Sequence, residues 1–355
     1  MCISRTLLFS MLIIGFVSAL GQSSDIQLAN EYYQQGELDK AKTLYDKLSQ
    51  DKRAIAQINS NYIEVLSQAG DVKQTKDYFN RIIKWFPGNV AYKVDELAYF
   101  YETRDLKSFE KKMQALKSDY AESRFQLSII GQHLANKRMY AQSADFFLAA
   151  RSVSGSPNTY ALELARIYSL LNDKEGMVDE YLNYAMDGRQ QAAYIKNIFQ
   201  NLLREEDDLT FLETTLIKRM QNAPDNRTYP DLMIWLELQR KNFYGAFLQA
   251  RALDRREETS GNHTRRVGQI AMDNESWDDA ITIFQYLTRT YHQQSSQAFY
   301  RKMLIEAKSN LRCSDEDDAT PLHYACMEGS MEIAQMLFDA AEAQNGWVMV
   351  TKVKL

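Results

Sequence analysis

Residues that could do acid–base, nucleophilic or metal chemistry form no catalytic constellation in this sequence. The four histidines are scattered without the spacing of a metal site: His133, His263, His292 and His323. The sequence has no phosphate-binding glycine loop, no dinucleotide fingerprint and no nucleophile elbow. The acidic runs Glu205–Asp208 and Asp315–Asp318 lack the glycine and the ligand spacing of a calcium loop. We therefore expect no catalytic site, no metal and no cofactor, and we interpret both runs as solvated turns.

The three cysteines are too few for a disulfide-dense secreted scaffold. Cys313 and Cys326 could pair in an oxidising compartment. The alternative is one linker thiol and one buried core thiol, since free cysteine is often buried. The sequence leaves both interpretations open.

The composition is typical of a folded, water-soluble protein. Of its 355 residues, 45% are apolar and 25% charged, and the net charge is −5. Only 14 glycines and 5 prolines accompany 21 tyrosines, which suits helices with aromatic wedges. A non-specific nucleic-acid binder needs a basic face, so this balance argues against nucleic acid as the partner.

The first 21 residues have the pattern of a cleavable targeting segment. Arg5 is followed by the apolar run Leu7–Leu20, and Ala19 and Gly21 provide small residues before Gln22. The run is short for a membrane span. We therefore predict a signal peptide over residues 1–21, export, and no membrane span after its removal. The alternative is an uncleaved N-terminal membrane anchor.

The next stretch repeats itself with a period of 34 residues. Tyr32, Gly36, Ala41 and Tyr45 are matched 34 residues later by Leu66, Gly70, Thr75 and Phe79. This spacing of aromatic, glycine and small residues resembles the tetratricopeptide repeat, a helix–turn–helix unit. The resemblance implies an all-α fold, a right-handed α-solenoid of stacked helical hairpins. Each unit buries its apolar face only against its neighbours.

The 34-residue frame can be followed over residues 22–311, as about eight helical pairs and one further helix. The units begin at Gln22, Ala56, Val90, Arg124, Asn158, Ala192, Arg227 and Gly261. The sixth unit needs one extra residue, which we place in the Arg204–Asp208 turn. Capping boxes are expected at Ser123 with Gln126, Thr210 with Glu213, and Ser276 with Asp279. Glu237 falls where the frame expects an apolar residue.

The last part of the chain changes character. After the acidic residues 314–318, the segment Thr320–Ala325 reads TPLHYA. It resembles the ankyrin signature, and the likeness covers one unit at about residues 317–345. We therefore assign residues 312–355 to an acidic linker, a single ankyrin-like unit and a tail. One such unit cannot bury its own face, so a fused or truncated gene is an open explanation.

In tetratricopeptide arrays the first helix of each unit lines a concave groove. Carried onto this frame, the resemblance gives a partner-binding set of eight residues: Asn30, Tyr33, Tyr101, Gln132, Arg166, Trp235, Arg265 and Gln269. Aromatic, arginine and amide side chains suit recognition of an extended or helical peptide. The alternative is that these are ordinary surface or inter-helix residues.

Together these patterns favour a non-enzymatic, exported scaffold that binds a protein or peptide. The signal-like start with a degenerate array resembles exported tetratricopeptide proteins of Gram-negative bacteria, which favours the periplasm. One alternative is an intracellular adaptor, because ankyrin repeats are mostly intracellular. Another is the regulatory binding half of an enzyme whose catalytic domain is missing.

Overall fold

The computed structural model describes residues 24–186, 188–292 and 294–313, together with residues 334–335. Every regular element in these ranges is a helix, which confirms the all-helical prediction. The chain divides into two compact units, Met1–Glu180 and Tyr181–Leu355. The predicted signal peptide, and the ankyrin-like segment apart from residues 334–335, lie outside the described residues.

The first unit is built from consecutive helical hairpins. A helix over residues 24–34 (α1) is followed by α2 (Leu38–Leu48), α3 (Ile55–Ala69), α4 (Val72–Trp85), α5 (Val90–Glu102), α6 (Leu106–Asp119), α7 (Arg124–Asn136), α8 (Tyr140–Ser154) and α9 (Ala161–Leu170). Helix α10 (Lys174–Ala185) contains the boundary between the units. The first and second helices of each pair follow the predicted 34-residue frame.

The second unit continues with the same kind of hairpin. It contains α11 (Arg189–Leu202), α12 (Glu206–Asn222), α13 (Thr228–Gln239), α14 (Phe243–Arg256), α15 (Asn262–Asp273), α16 (Trp277–Thr290) and the ninth first helix, α17 (Gln294–Cys313). The extra residue of the sixth unit is not in the Arg204–Asp208 turn, which is as short as the other turns. The extra length lies in α12, which has 17 residues.

Aromatic rings connect successive helices in the core of the first unit. Tyr62 lies between Tyr45 and Tyr78, with ring centroids 5.7 and 4.8 Å away. Phe79 contacts Tyr99 at 5.8 Å. Tilted and edge-to-face aromatic pairs of this kind add roughly 0.5–1.5 kcal/mol beyond the area they bury. The aromatic residues of the repeat pattern therefore join one hairpin to the next.

Polar contacts also tie neighbouring hairpins together in the first unit. The Tyr78 hydroxyl donates to Asn59 Oδ1 at 3.0 Å, and Asn59 Nδ2 donates to Asp95 Oδ2 at 2.7 Å. Lys137 Nζ lies 2.7 Å from Asp95 Oδ1. This chain of contacts runs from α4 through α3 and α5 to the residue that follows α7. It fixes the register of the stack while leaving no charge of Asp95 unpaired.

Among the described residues, seven of the eight hairpin turns place one residue in the left-handed backbone region. These residues are Gly36, Gly70, Arg104, Arg138, Asn172, Lys241 and Glu275. In several turns the next amide donates to the carbonyl five residues before it, as Asp105 does to Phe100 at 3.0 Å. This is the hydrogen bond of a Schellman-type helix end. The exception is the sixth turn, Leu203–Glu205, whose backbone stays right-handed or extended.

The buried carboxylate of Asp254 caps a helix other than its own. It lies in α14, is 1% exposed, and meets the first turn of α15. Its Oδ1 accepts the His263 amide at 3.0 Å and the Thr259 hydroxyl. Its Oδ2 accepts the Thr264 amide at 2.8 Å and the Thr264 hydroxyl at 2.6 Å. Because the N-cap residue Gly261 has no side chain to cap with, Asp254 takes over that role.

Glu237, where the frame expected an apolar residue, is buried but has a polar partner. Asn242 Nδ2 donates to Glu237 Oε2 at 2.7 Å, while Asn242 Oδ1 accepts the Gly245 amide at 3.0 Å. Glu237 therefore orients the residue that caps α14. Burial raises the pKa of the Glu237 carboxyl above its ordinary value.

The three expected capping boxes have different outcomes. Ser123 Oγ accepts the Gln126 amide at 3.4 Å, so the Ser123 N-cap is confirmed. The Ser123 amide donates to the Tyr120 carbonyl at 2.9 Å and not to the Gln126 side chain, so the capping box is only half formed. The Thr210 cap is wrong, because α12 begins four residues earlier at Glu206. Three acids in its first turn, Glu206, Asp207 and Asp208, favour that start, because negative charges interact favourably with the positive N-terminal end of the helix dipole. Ser276 precedes α16 as expected, but its hydroxyl donates to Asp279 Oδ2 at 2.9 Å and caps no amide.

Candidate functional site

The first unit has a surface cleft between the first helices α7 and α9. We call it the α7–α9 cleft, and its volume is about 140 Å³. Its polar rim consists of Gln132, Asn136, Glu163 and Arg166. Its apolar wall consists of Ala135, Tyr140, Phe147, Ile167 and Leu170. Two predicted site residues, Gln132 and Arg166, are therefore brought together here.

The rim of the α7–α9 cleft presents several polar atoms that make no hydrogen bond or ion pair with the described residues. No hydrogen bond or ion pair reaches the side chains of Arg166 or Glu163 there. Gln132 Nε2 donates to Asn136 Oδ1 at 3.1 Å. This leaves the Gln132 carbonyl as an acceptor and the Asn136 amide as a donor. Such a pair matches the alternating N–H and C=O groups of an extended peptide.

The second unit has a comparable cleft against the first helices α13 and α15. We call it the α13–α15 cleft, and its volume is about 120 Å³. Its polar rim consists of Lys196, Asp231, His263 and Arg266. Its apolar wall consists of Ile234, Trp235, Leu238, Val267 and Ile270. The predicted residue Trp235 lies in this wall, half-buried, with its ring 6.5 Å from that of Phe199.

The charges of the α13–α15 cleft are unequally paired. Lys196 Nζ lies 2.6 Å from Asp231 Oδ2, and this ion pair joins α11 to α13. His263 Nε2 lies 3.2 Å from Glu257 Oε2. Arg266 is exposed, and no ion pair or hydrogen bond reaches its guanidinium from the described residues. Two cations, Lys196 and Arg266, against one anion, Asp231, give the rim a net positive charge.

Asn30 and Tyr33, both predicted to face a partner, are engaged inside the first unit. Asn30 Oδ1 accepts the Tyr45 hydroxyl at 2.7 Å and Asn61 Nδ2 at 3.0 Å. A hydrogen bond to Glu64 and partial burial raise the pKa of Tyr33 to about 12. Asn30 therefore joins α1, α2 and α3, and Tyr33 is held beside Glu64.

The other three predicted residues lie on first helices but outside both clefts. Tyr101 is 48% exposed, and its ring lies 5.4 Å from that of Phe109. The Arg265 guanidinium lies over the Phe299 ring, 5.8 Å from its centroid. Gln269 Nε2 donates to Asp273 Oδ1 at 3.0 Å within the same helix. The structure thus gathers three of the eight predicted residues into clefts, two in one unit and one in the other.

A larger cavity of about 260 Å³ lies away from the predicted residues, among α4, α5 and α6. Its apolar wall includes Ile83 and Leu97, and Glu96 and Lys112 also line it. The Glu96 side chain is 6% exposed, and its Oε1 lies 2.8 Å from Lys112 Nζ. Sequence reasoning missed this cavity. The available signal was a glutamate at a buried position of α5, 16 residues before a lysine.

In the part of the chain that the structure describes, no three His, Cys, Asp or Glu side chains are grouped so as to hold a metal ion. Over the same residues, no helix combines the length and the apolar character needed to cross a bilayer.

Comparison with known proteins identifies the C-terminal signature. The chain matches the family model "Ankyrin repeats (many copies)" over residues 302–338. This match confirms the predicted ankyrin resemblance and begins earlier than expected, inside α17. None of the curated proteins matches the chain.

Similar solved structures include two helical proteins. The first is described as the crystal structure of the APC/C hetero-tetramer Cut9–Hcn1. It has a TM-score of 0.24 and 11% identity, over 85% of this chain and 59% of that chain. The second is described as the crystal structure of the P58(IPK) TPR domain. It has a TM-score of 0.21 and 13% identity, over 84% of this chain and 100% of that chain.

Proposed function

We propose that this protein is a non-enzymatic scaffold that binds protein or peptide partners through the clefts of its first helices. One observation carries the proposal. In each unit a cleft lies against consecutive first helices, with an apolar wall and an arginine that has no partner among the described residues. Apolar clefts with a few polar groups at the rim are typical of binding sites.

The shape and chemistry of the clefts favour an extended peptide as the ligand. Volumes of about 140 and 120 Å³ are too small for a typical drug-sized ligand, whose pockets measure roughly 300–1,000 Å³. They are suited to single apolar side chains of a longer chain. The Gln132 and Asn136 amides at one rim provide the hydrogen bonds that a peptide backbone needs. The mildly acidic net charge of −5 makes nucleic acid a poor partner.

We further propose that the scaffold acts after export, in a periplasm. This part of the proposal rests on residues 1–21, with Arg5 before the apolar run Leu7–Leu20. The ankyrin match at residues 302–338 supports a second candidate, an intracellular adaptor. The two candidates differ in where the mature protein is found and agree on partner binding.

Site-specific photo-crosslinking tests the binding face. A photoreactive phenylalanine analogue at Leu170, which is 49% exposed in the α7–α9 cleft, should capture partners in cells. The matched control is Leu148, which is 39% exposed on the second helix α8 and does not line the cleft. In the second unit, Ile270 in the cleft is paired in the same way with Leu248 on α14.

Adducts from the two cleft positions, with few from the two controls, would support the proposal. Equal capture from first and second helices would mean that the clefts are not the binding face. An absence of adducts from all four positions would contradict the scaffold function.

A further inference from the structure

The rims of the two clefts differ in net charge, and this difference indicates the chemistry of the ligand of the α13–α15 cleft. The rim of the α7–α9 cleft balances Arg166 with Glu163. The rim of the α13–α15 cleft has one cation in excess, on a chain whose net charge is −5. A local positive rim on an acidic protein is a specific feature, because the overall charge does not produce it.

Pairing inside the α13–α15 cleft shows which cation is free. Lys196 Nζ lies 2.6 Å from Asp231 Oδ2, so this ion pair neutralises the charge of Lys196. His263 is in contact with Glu257, which also lies 3.6 Å from the Arg227 side chain. Arg266 is exposed and has no partner among the described residues. A guanidinium presents a fork of donors that fits a carboxylate by two parallel hydrogen bonds.

The apolar wall beside Arg266 supplies the second half of the recognition. Trp235 is half-buried, and its ring lies 6.5 Å from that of Phe199. Ile270, one turn along α15 from Arg266, lines the same cleft. An indole face with aliphatic neighbours binds an apolar side chain well, and tryptophan and arginine are enriched among residues that dominate binding energy.

We propose that the α13–α15 cleft selects a partner segment in which an apolar side chain is flanked by an internal carboxylate. The apolar side chain packs on Trp235, and the aspartate or glutamate beside it pairs with Arg266. The occupant is thus an acidic, apolar segment of another protein. This inference rests on the proposed scaffold function and names the partner chemistry for the second unit.

Peptide pools with matched chemistry provide the test. Each pool carries a fixed central leucine flanked by aspartate, by asparagine or by lysine, with the other positions randomised. Acetylated and amidated ends remove terminal charges, so that any carboxylate is internal. Binding to the full-length chain is measured by fluorescence anisotropy at low and at high salt. The aspartate pool should bind several-fold more tightly than the asparagine pool, and salt should reduce this difference.

Variants assign the preference to the cleft. Arg266→Glu should weaken binding of the aspartate pool about fivefold and favour the lysine pool, since it reverses one exposed charge pair. Arg255→Glu makes the same charge change at an exposed position of α14 and should leave the preference unchanged. Trp235→Ala should weaken binding of the aspartate and asparagine pools alike. Helical circular dichroism checks folding, and Arg266→Gln serves if Arg266→Glu does not fold.

Three outcomes would overturn the inference. One is equal binding of the three pools, and another is an unchanged preference in both Arg266 variants. The third is a dimer of the wild-type chain that Arg266→Glu dissociates, because a second copy would then occupy the cleft. Crosslinked partners captured from Ile270 without any acidic preference would leave the scaffold function standing and remove only this inference.

Discussion

Replacing Asp254 by alanine should loosen the start of α15 and destabilise the second unit. Asp254 is 1% exposed, and its carboxylate accepts two backbone amides and two hydroxyls at the first turn of that helix. Alanine offers no acceptor to any of these donors. Because Thr264 is fully buried, water cannot replace the lost acceptor there.

The size of the effect follows from the groups left behind. A buried amide without an acceptor costs roughly 1–3 kcal/mol, and loss of a helix N-cap typically costs about 1 kcal/mol. We therefore expect Asp254→Ala to lower the free energy of unfolding by about 2 to 4 kcal/mol. Asp254→Asn keeps the volume and one acceptor oxygen, so it should cost about half as much.

Urea denaturation followed by helical circular dichroism measures the total loss, and hydrogen exchange locates it. The amides of His263 and Thr264 should exchange faster in Asp254→Ala than in the wild type. The control is Asp225→Ala, an exposed aspartate between α12 and α13. The reasoning would be refuted if both variants lost the same stability, or if the Thr264 amide stayed as protected as in the wild type.

Three further predictions concern packing, pH and export. Ala280 is fully buried in the core formed with α15, so Ala280→Leu should lower the free energy of unfolding by about 1–3 kcal/mol by overpacking. Asp278→Leu, at an exposed position, should change the melting temperature little. Equal changes in melting temperature for the two variants would contradict the assignment of Ala280 to the packed face of α16. Asp279 is unsuitable as this control, because it is only partly exposed and it accepts the Ser276 hydroxyl. Burial raises the pKa of Glu237, so its ionisation costs stability as pH rises through that raised pKa. Glu237→Gln should therefore be more stable than the wild type at pH 7, and this gain should vanish as urea denaturation is repeated toward pH 4; the same gain at both pH values would exclude this explanation. The exported chain should begin near Leu20 to Gln22, and N-terminal sequencing that finds Met1 intact would rule out cleavage.

Helix positions were predictable where the residues of the repeat pattern are the ones that the helices bury. The spacing of Tyr45 and Phe79 places both on the face that packs, and both are fully buried. The start of α12 was not predictable from a cap motif. A side-chain cap at Thr210 would start the helix after that residue. The helix dipole instead favours a start at Glu206, because that start places three acidic residues in the first turn. The Thr210 hydroxyl instead accepts Arg240 Nη2 at 2.9 Å, a contact 30 residues away that no local pattern shows.

The candidate site was less predictable, because position on a helix indicates a face and not a partner. Gln132 and Arg166 occupy the same repeat position in consecutive units, and they meet at one cleft. Asn30 occupies that position too, but it bonds to Tyr45 and Asn61. Asp254 gave no signal at all, because it lies eight residues before α15, outside the spacing of any capping motif.

The left-handed turn residues have a consequence for how such a chain diverges. Gly36 and Gly70 occupy this conformation at φ 76° and 67°, yet Arg104, Arg138 and Lys241 occupy it at 56–60°. A residue with a side chain pays roughly 1–2 kcal/mol of strain there, but glycine loses more chain entropy on folding, by about 0.5–1 kcal/mol. The entropy term offsets only part of the strain, so mutation can remove the glycine and keep the turn at a net cost of about 0.5–1 kcal/mol. The 34-residue period of the backbone conformation can therefore be kept after the period of the amino-acid sequence is lost. A family of such arrays can diverge far in sequence while its architecture stays constant.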